Sequence, residues 1–282
     1  MLLMKISIIT ASYNYANYIA ETIQSVINQT YSDWELIIVD DCSSDNSVEV
    51  INSFKDERIR FFVNDKNLGL KETLKRGIQE ATGDWVAFLE SDDLWMPNCL
   101  QKKADVIKNY PNIALVFNDV ETFGEASANR EKNELLFKKS AEYLKNKEYP
   151  RNMFYDLGVM NRILTFSTVI VKKEELMKCD FDTPIDKFLD WWLFIHLARN
   201  NQFYYIPEKL TKWRIHTASY INKKNEKFSL PMSIYAICDI IKKEKNIFLT
   251  LFLLLTIVEL LPRIKARVLR ALKLKILKLV QA

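Results

Sequence analysis

The chain has 282 residues, 49% hydrophobic and 27% charged, with only five glycines and seven prolines. This suits one large α/β unit or two fused halves and excludes a fibrous or intrinsically disordered protein. The net charge of +4 averages unlike parts: residues 263–282 hold seven Lys or Arg and no acid, and the rest carries 33 basic and 36 acidic residues, net −3, which argues against nucleic acid as a partner.

Residues 5–11 (KISIITA) form a short β-branched run and predict a buried strand. Residues 18–29 carry Ile19, Ile23, Val26 and Ile27 at helical spacing. A second strand, 34–41 (WELIIVDD), ends in two Asp, and Ser43, Ser44 and Asp45 cap a second helix. A third strand over 58–63, a helix over 70–81 closed by Gly83, and a fourth strand over 84–90 follow. Four strand–helix alternations predict a parallel sheet with helices on its faces. Such sheets bind ligands beyond the carboxyl ends of their strands. Polar clusters fall at those ends: ASYN at 11–14, Asp40 with Asp41, and ESDD at 90–93.

Glu90, Asp92 and Asp93 directly follow the apolar run Val86, Ala87, Phe88 and Leu89. Clustered carboxylates need a cation or raised pKa values. One reading is a Mg²⁺ or Mn²⁺ site that presents a nucleotide diphosphate. The other is a helix N-terminus, where acids meet free N–H groups. Three polar clusters on one rim favour the first.

Residues 105–222 are less regular. Strands are predicted over 112–120 and 166–173 and a helix over 186–200. Residues 121–150 are charged and predict a mobile loop with some helix, suited to a lid or an acceptor surface. His196 lies in an apolar helical stretch and reads as a packed core residue. Trp191, Trp192 and Trp213 fit either sugar stacking or a core. Cys42, Cys99, Cys179 and Cys238 are widely spaced and show no zinc pattern, which predicts reduced thiols in a cytosolic protein. The amino-terminal residues turn polar too soon for a signal peptide.

Residues 246–262 are almost wholly apolar, and at ~1.5 Å per residue they are too short to cross a ~30 Å hydrocarbon core upright. The basic stretch behind them sets Arg263, Arg267, Arg270 and Lys278 against Ile264, Val268, Leu272 and Ile276. This predicts a segment on an anionic membrane surface, holding a cytoplasmic protein peripherally at the inner face. A hairpin packed on the body or on a partner subunit, or a single span with snorkelling ends, are the alternatives. The expected boundaries fall at 1–105, 106–222 and 223–282, the last a helical membrane-associating tail.

The stretches SIITASYNYANYIAETIQSVINQTYSDWELIIVDDCSSDNS and NLGLKETLKRGIQEATGDWVAFLESDDLWMP, with the shorter FLDWWLF and WRIHTASY, make residues 4–220 resemble the family 2 inverting glycosyltransferases of the bacterial surface-glycan type. The resemblance implies an α/β GT-A fold, with a mostly parallel Rossmann-like sheet flanked by helices, in which 1–105 is the nucleotide-sugar-binding half and 106–222 the acceptor-binding and catalytic half. It implies that Ala11 meets the nucleotide base through its backbone and that Tyr13 stacks on it. Asp41 would accept from the base imide, which favours uracil or thymine. Lys75 would reach the diphosphate. Asp92 would lie near the ribose or metal and Asp93 on the Mg²⁺ or Mn²⁺, with Glu90 where the family more often has Asp.

Asp190 would be the catalytic base, although Leu189 stands where the family often has Glu. Its other reading is an acid at a helix N-terminus, one turn after Asp186. Arg214, His216 and Ser219 would close on the diphosphate. The implied reaction moves a hexosyl or N-acetylhexosaminyl group, with inversion, from a UDP-type donor to a lipid-linked or cell-surface glycan. Two other classes stand beside it. A sugar nucleotidyltransferase normally carries a glycine-rich loop after its first strand, and ASYNYANY has no glycine. A catalytically decayed membrane scaffold is the other.

Overall fold

The computed structural model describes residues 4–125, 128–182, 188–217 and 238–239. The apolar runs pair as strands because each alternates two inward faces. In β1 (Ile6–Ser12), Ile9 enters one core while Ile6 and Ile8 enter the other; in β2 (Trp34–Asp40), Ile37 and Val39 oppose Leu36 and Ile38. β3 (Ile59–Val63), β2, β1 and β4 (Trp85–Phe88) are parallel neighbours in that order. Between them α1 (Ile19–Ile27), α2 (Ser47–Asn52) and α3 (Leu70–Glu80) make the expected crossovers. α3 presses closely on the sheet: a Cβ at Gly77 would stand 2.6 Å from Ile9 Cγ2.

The second half extends the same sheet. A two-residue β5 (Leu94–Trp95) and α4 (Cys99–Asn109) lead into β6 (Leu115–Gly124). β7 (Val169–Lys172) joins the halves by pairing antiparallel with both β4 and β6. β8 (Phe203–Ile215) runs parallel to β6 and antiparallel to β5. The eight-stranded order is β3-β2-β1-β4-β7-β6-β8-β5, so both halves share one mixed sheet with helices on each face.

Residues 121–150 depart from expectation. β6 runs on to Gly124, and Ala128–Lys145 is one helix, α5. Its charges dilute the apolar period, yet Phe137, Ser140, Ala141 and Leu144 form a buried stripe at helical spacing. α6 (Phe154–Val159), a 3₁₀ turn at Phe166–Thr168, α7 (Lys173–Leu176) and α8 (Leu189–Ala198) complete the described elements. Trp192 is core, with its indole N–H on the Asp180 carbonyl at 2.9 Å. Trp191 is half-buried and donates to the Leu157 carbonyl at 2.8 Å, and Trp213 packs edge-on to Phe137. His196 is packed as read, between the Trp192 carbonyl at 2.8 Å and Asp239 at 3.1 Å. The four cysteines are free thiols. The apolar and basic tail, 246–282, lies outside the described residues, among which no helix is long and apolar enough to cross a membrane.

Candidate active site

The carboxyl ends of β1, β2 and β4 open on one rim, where strand order turns from β1 to β4. The loops after β1 and β2 are laced together. Asn14, with φ 59°, donates its backbone amide to Ser43 Oγ at 2.8 Å and accepts the Ser44 amide on its Oδ1 at 2.8 Å. Asp40 is fully buried and accepts from the Ser43 amide and hydroxyl at 2.7 and 2.6 Å. Ala11 pairs with Val39 near the strand ends, and Tyr13, just past β1, is 37% exposed. The Asp41 carboxylate takes Asn64 Nδ2 and the amides of Leu68 and Gly69, each at 2.8 Å. It thereby shapes the loop into α3, where Gly69 holds φ +84°.

The acidic turn is tied to the second half. The Thr165 hydroxyl lies 2.6 Å from Glu90 Oε2, and the Ser167 hydroxyl lies 2.6 Å from Asp93 Oδ2. Asp93 Oδ1 accepts the Arg214 amide at 2.9 Å. Asp93 is 0% exposed with both oxygens engaged, which anchors the turn to the 3₁₀ segment and to β8. Asp92 sits at the edge of the same turn. His216 Nε2 lies 2.8 Å from its Oδ2, and Arg214 Nε donates to its carbonyl at 2.8 Å. Tyr18 stacks 4.5 Å from the His216 ring, with Tyr15 edge-on at 5.8 Å. Arg214 also reaches Glu21 at 3.0 Å and lies over Phe123 and Tyr18.

Asp190 begins α8, and its carboxylate meets its own amide, that of Trp191 and the Asn161 side chain. Burial outweighs these bonds and pushes it up to about 7. Glu90 is pushed up to about 8, first by burial, then by Asp92, with Asp190 adding and Thr165 opposing. Asp93 stands well above the usual carboxylate range for the same reasons, burial first, then Asp92 and Glu90. Glu90 and Asp190 therefore feel each other across the two halves. Lys75 pairs with Glu72 at 3.2 Å on α3. Ser219 lies outside the described residues.

The segment 161–168 was missed by sequence reasoning as anything but the start of a strand. Asn161, Thr165 and Ser167 each touch one of the acids Asp190, Glu90 and Asp93. The clustered hydroxyls of LTFST were the available signal, but nothing in one sequence pairs them with acids some 75 positions away.

Among the described residues, no three acidic, His or Cys side chains converge on one point suited to an ion. The donor set still suits a hard divalent ion held by one or two carboxylates, with substrate phosphate and water completing its shell.

The Glycosyl transferase family 2 model matches residues 7–170. WfgD of Escherichia coli, a UDP-Glc:α-D-GlcNAc-diphosphoundecaprenol β-1,3-glucosyltransferase, is 37% identical over 197 residues, covering 70% of this chain and 70% of WfgD. The chain spans 63% and 33% of the lengths of two further curated relatives. The crystal structure of S. aureus TarS 1–349 with UDP-GlcNAc superposes with a TM-score of 0.64 at 17% identity, over 84% of this chain and 66% of that one. The mannosyltransferase PcManGT from Pyrobaculum calidifontis, solved with GDP-Man and Mn²⁺, gives 0.62 at 16% identity, over 92% of this chain and 70% of that one. The chain belongs to glycosyl transferase family 2, with the GT-A fold.

Proposed function

We propose that the chain transfers a sugar, with inversion, from a UDP-linked donor to a hydroxyl of a lipid-linked glycan in cell-surface glycan synthesis. The observation that carries this reading is that one segment, 161–168, touches Asp190 through Asn161 and the rim acids Glu90 and Asp93 through Thr165 and Ser167. One base facing one leaving group is what a single displacement needs. Asp190, near pH 7 half ionised, takes the acceptor proton as oxygen attacks the anomeric carbon. Asp92 and Glu90 would hold a Mg²⁺ or Mn²⁺ ion, which when bound neutralises the departing diphosphate. Arg214, on β8, and His216, just past its end, lie against Asp92, and Tyr13 offers its ring to the base.

PcManGT lends support for the ion and TarS for a UDP-sugar, while WfgD suggests the glycan-diphosphate lipid. Family membership removes the nucleotidyltransferase alternative. The basic tail would hold the enzyme at an anionic membrane face. Calorimetry of UDP and GDP with and without Mn²⁺ tests the donor reading, followed by product linkage analysis. Equal affinity for both nucleotides, or retention of anomeric configuration, would overturn it.

A further inference from the structure

Asn64 lies one residue past β3 and is buried. Its side chain joins three neighbours. Oδ1 accepts Arg76 Nη1 at 2.6 Å, while Nδ2 donates to Asp41 Oδ1 at 2.8 Å and to Thr73 Oγ1 at 3.2 Å. Chemistry fixes this orientation of the amide, because a guanidinium has only donors and must face Oδ1. The Thr73 hydroxyl gives its own proton to the Gly69 carbonyl at 2.9 Å, so toward Asn64 it accepts. Arg76 is held in turn by the Val63 carbonyl at 2.8 Å.

A carboxylate offers about four acceptor positions, two on each oxygen. Asp41 Oδ1 is filled by Asn64 and the Leu68 amide, and Oδ2 takes the Gly69 amide. Among the described residues these are its donors, so one position is left, on Oδ2. The Asp41 amide donates to the Ser12 carbonyl at 2.8 Å, which sets the acid beside the residue that precedes Tyr13.

We propose that Asn64 determines which nucleobase the donor carries, by leaving Asp41 a single acceptor position that suits a base edge with one N–H. The proposal rests on the UDP-donor reading above, with the base edge at Asp41. Uracil presents one ring N–H between two carbonyls. Guanine presents two N–H donors side by side, which call for one position on each carboxylate oxygen, and those of Oδ1 are taken. Adenine and cytosine turn an accepting ring nitrogen toward the acid, lone pair against lone pair.

Asn64 acts through Asp41 and is therefore a positioning residue. Asn64→Ala reopens one position on Oδ1. The backbone bonds remain, with the amide of residue 64 on the Asp40 carbonyl at 2.8 Å and Arg76 on the Val63 carbonyl. Guanine's second donor then finds an acceptor that the unaltered protein denies it.

The test uses the full chain with Mn²⁺ and calorimetric titration of UDP, GDP and IDP. Hypoxanthine, the base of IDP, is guanine without its exocyclic amine, so it separates ring size from the second donor. In the unaltered protein IDP is expected to bind about tenfold more tightly than GDP, because an unpartnered donor is costly, and UDP more tightly still. In Asn64→Ala, GDP should gain on IDP by about tenfold, whatever happens to UDP. Asn64→Ser, which keeps a polar atom for Arg76, is the second variant and should do the same. A residue that only pinned the loop would lower the melting temperature and weaken all three nucleotides alike. The comparison of IDP with GDP in the unaltered protein needs no variant and so decides even where neither variant folds. Absence of UDP binding there would overturn the donor reading itself. UDP binding with IDP no tighter than GDP, or a GDP to IDP ratio unchanged in a folded variant, would overturn the role of Asn64 and leave the donor reading standing.

Discussion

Asp92 and Asp93 are neighbours in sequence with different surroundings. Asp92 is edged by His216 at 2.8 Å, and Asp93 is enclosed by Ser167 and the Arg214 amide. Asp92→Ala is expected to abolish the Mn²⁺-dependent part of UDP affinity, because a hard ion loses a charged oxygen ligand. Asp93→Ala should instead lower stability by about 1–3 kcal/mol through two buried donors left unpaired. Calorimetry and urea unfolding on the two variants separate these roles; the reverse assignment of losses would refute them. For Asp190→Asn, donor binding should persist while turnover falls by ~10² or more. In the unaltered enzyme kcat/KM should rise with pH through about 7, since the base works ionised. The acids themselves were legible in the sequence, because carboxylates ending an apolar strand call for explanation. Which of two adjacent Asp is fully enclosed was not legible, because that depends on Ser167 and Arg214 arriving from the other half.

At the scale of elements, the first four strands and their crossover helices were readable because each carries its own period. α5 was not, since its buried stripe is scattered among Lys, Glu and Arg and shows only against the sheet it covers. β5 pairs with β8 across more than a hundred residues, and no local pattern foretells that. The glycine in α3 shows how close the packing is. Gly→Ala in a helix interior ordinarily gains about 1 kcal/mol. At Gly77 the new methyl would lie 2.6 Å from Ile9 Cγ2, a contact real structures avoid. Overpacking costs about 1–3 kcal/mol, so Gly77→Ala should be net destabilising. A rise in the urea midpoint would show that α3 yields more freely than its packing implies.

For the whole molecule, truncation before Asn246 is expected to release the protein from anionic vesicles and leave UDP binding intact, since every proposed donor residue precedes it. Full-length protein that stays in the supernatant with such vesicles would end the membrane reading. The pH dependence of stability has two opposed parts. Glu35 is buried, yet hydrogen bonds from Ser7 and Thr82 hold it to about 2, below its ordinary 4.5. Its contribution is present above the ordinary value and lost as pH falls through about 2. Glu90 and Asp190 run the other way. With pKa values near 8 and 7, the folded state keeps protons that the unfolded chain has released. Their contribution is present below the ordinary carboxylate range and lost as pH rises through about 7 and then 8. Without a divalent ion, melting temperature should therefore decline from about pH 5 to about pH 9. Mn²⁺ with UDP supplies the counter-charge that the protons had provided, so its stabilising effect should grow over the same range. Thermal melts at both ends of that range, with and without Mn²⁺ and UDP, measure both slopes. A flat profile without the ion would mean that the acids are solvated and ionised. An ion effect equal at both ends would place the metal away from them.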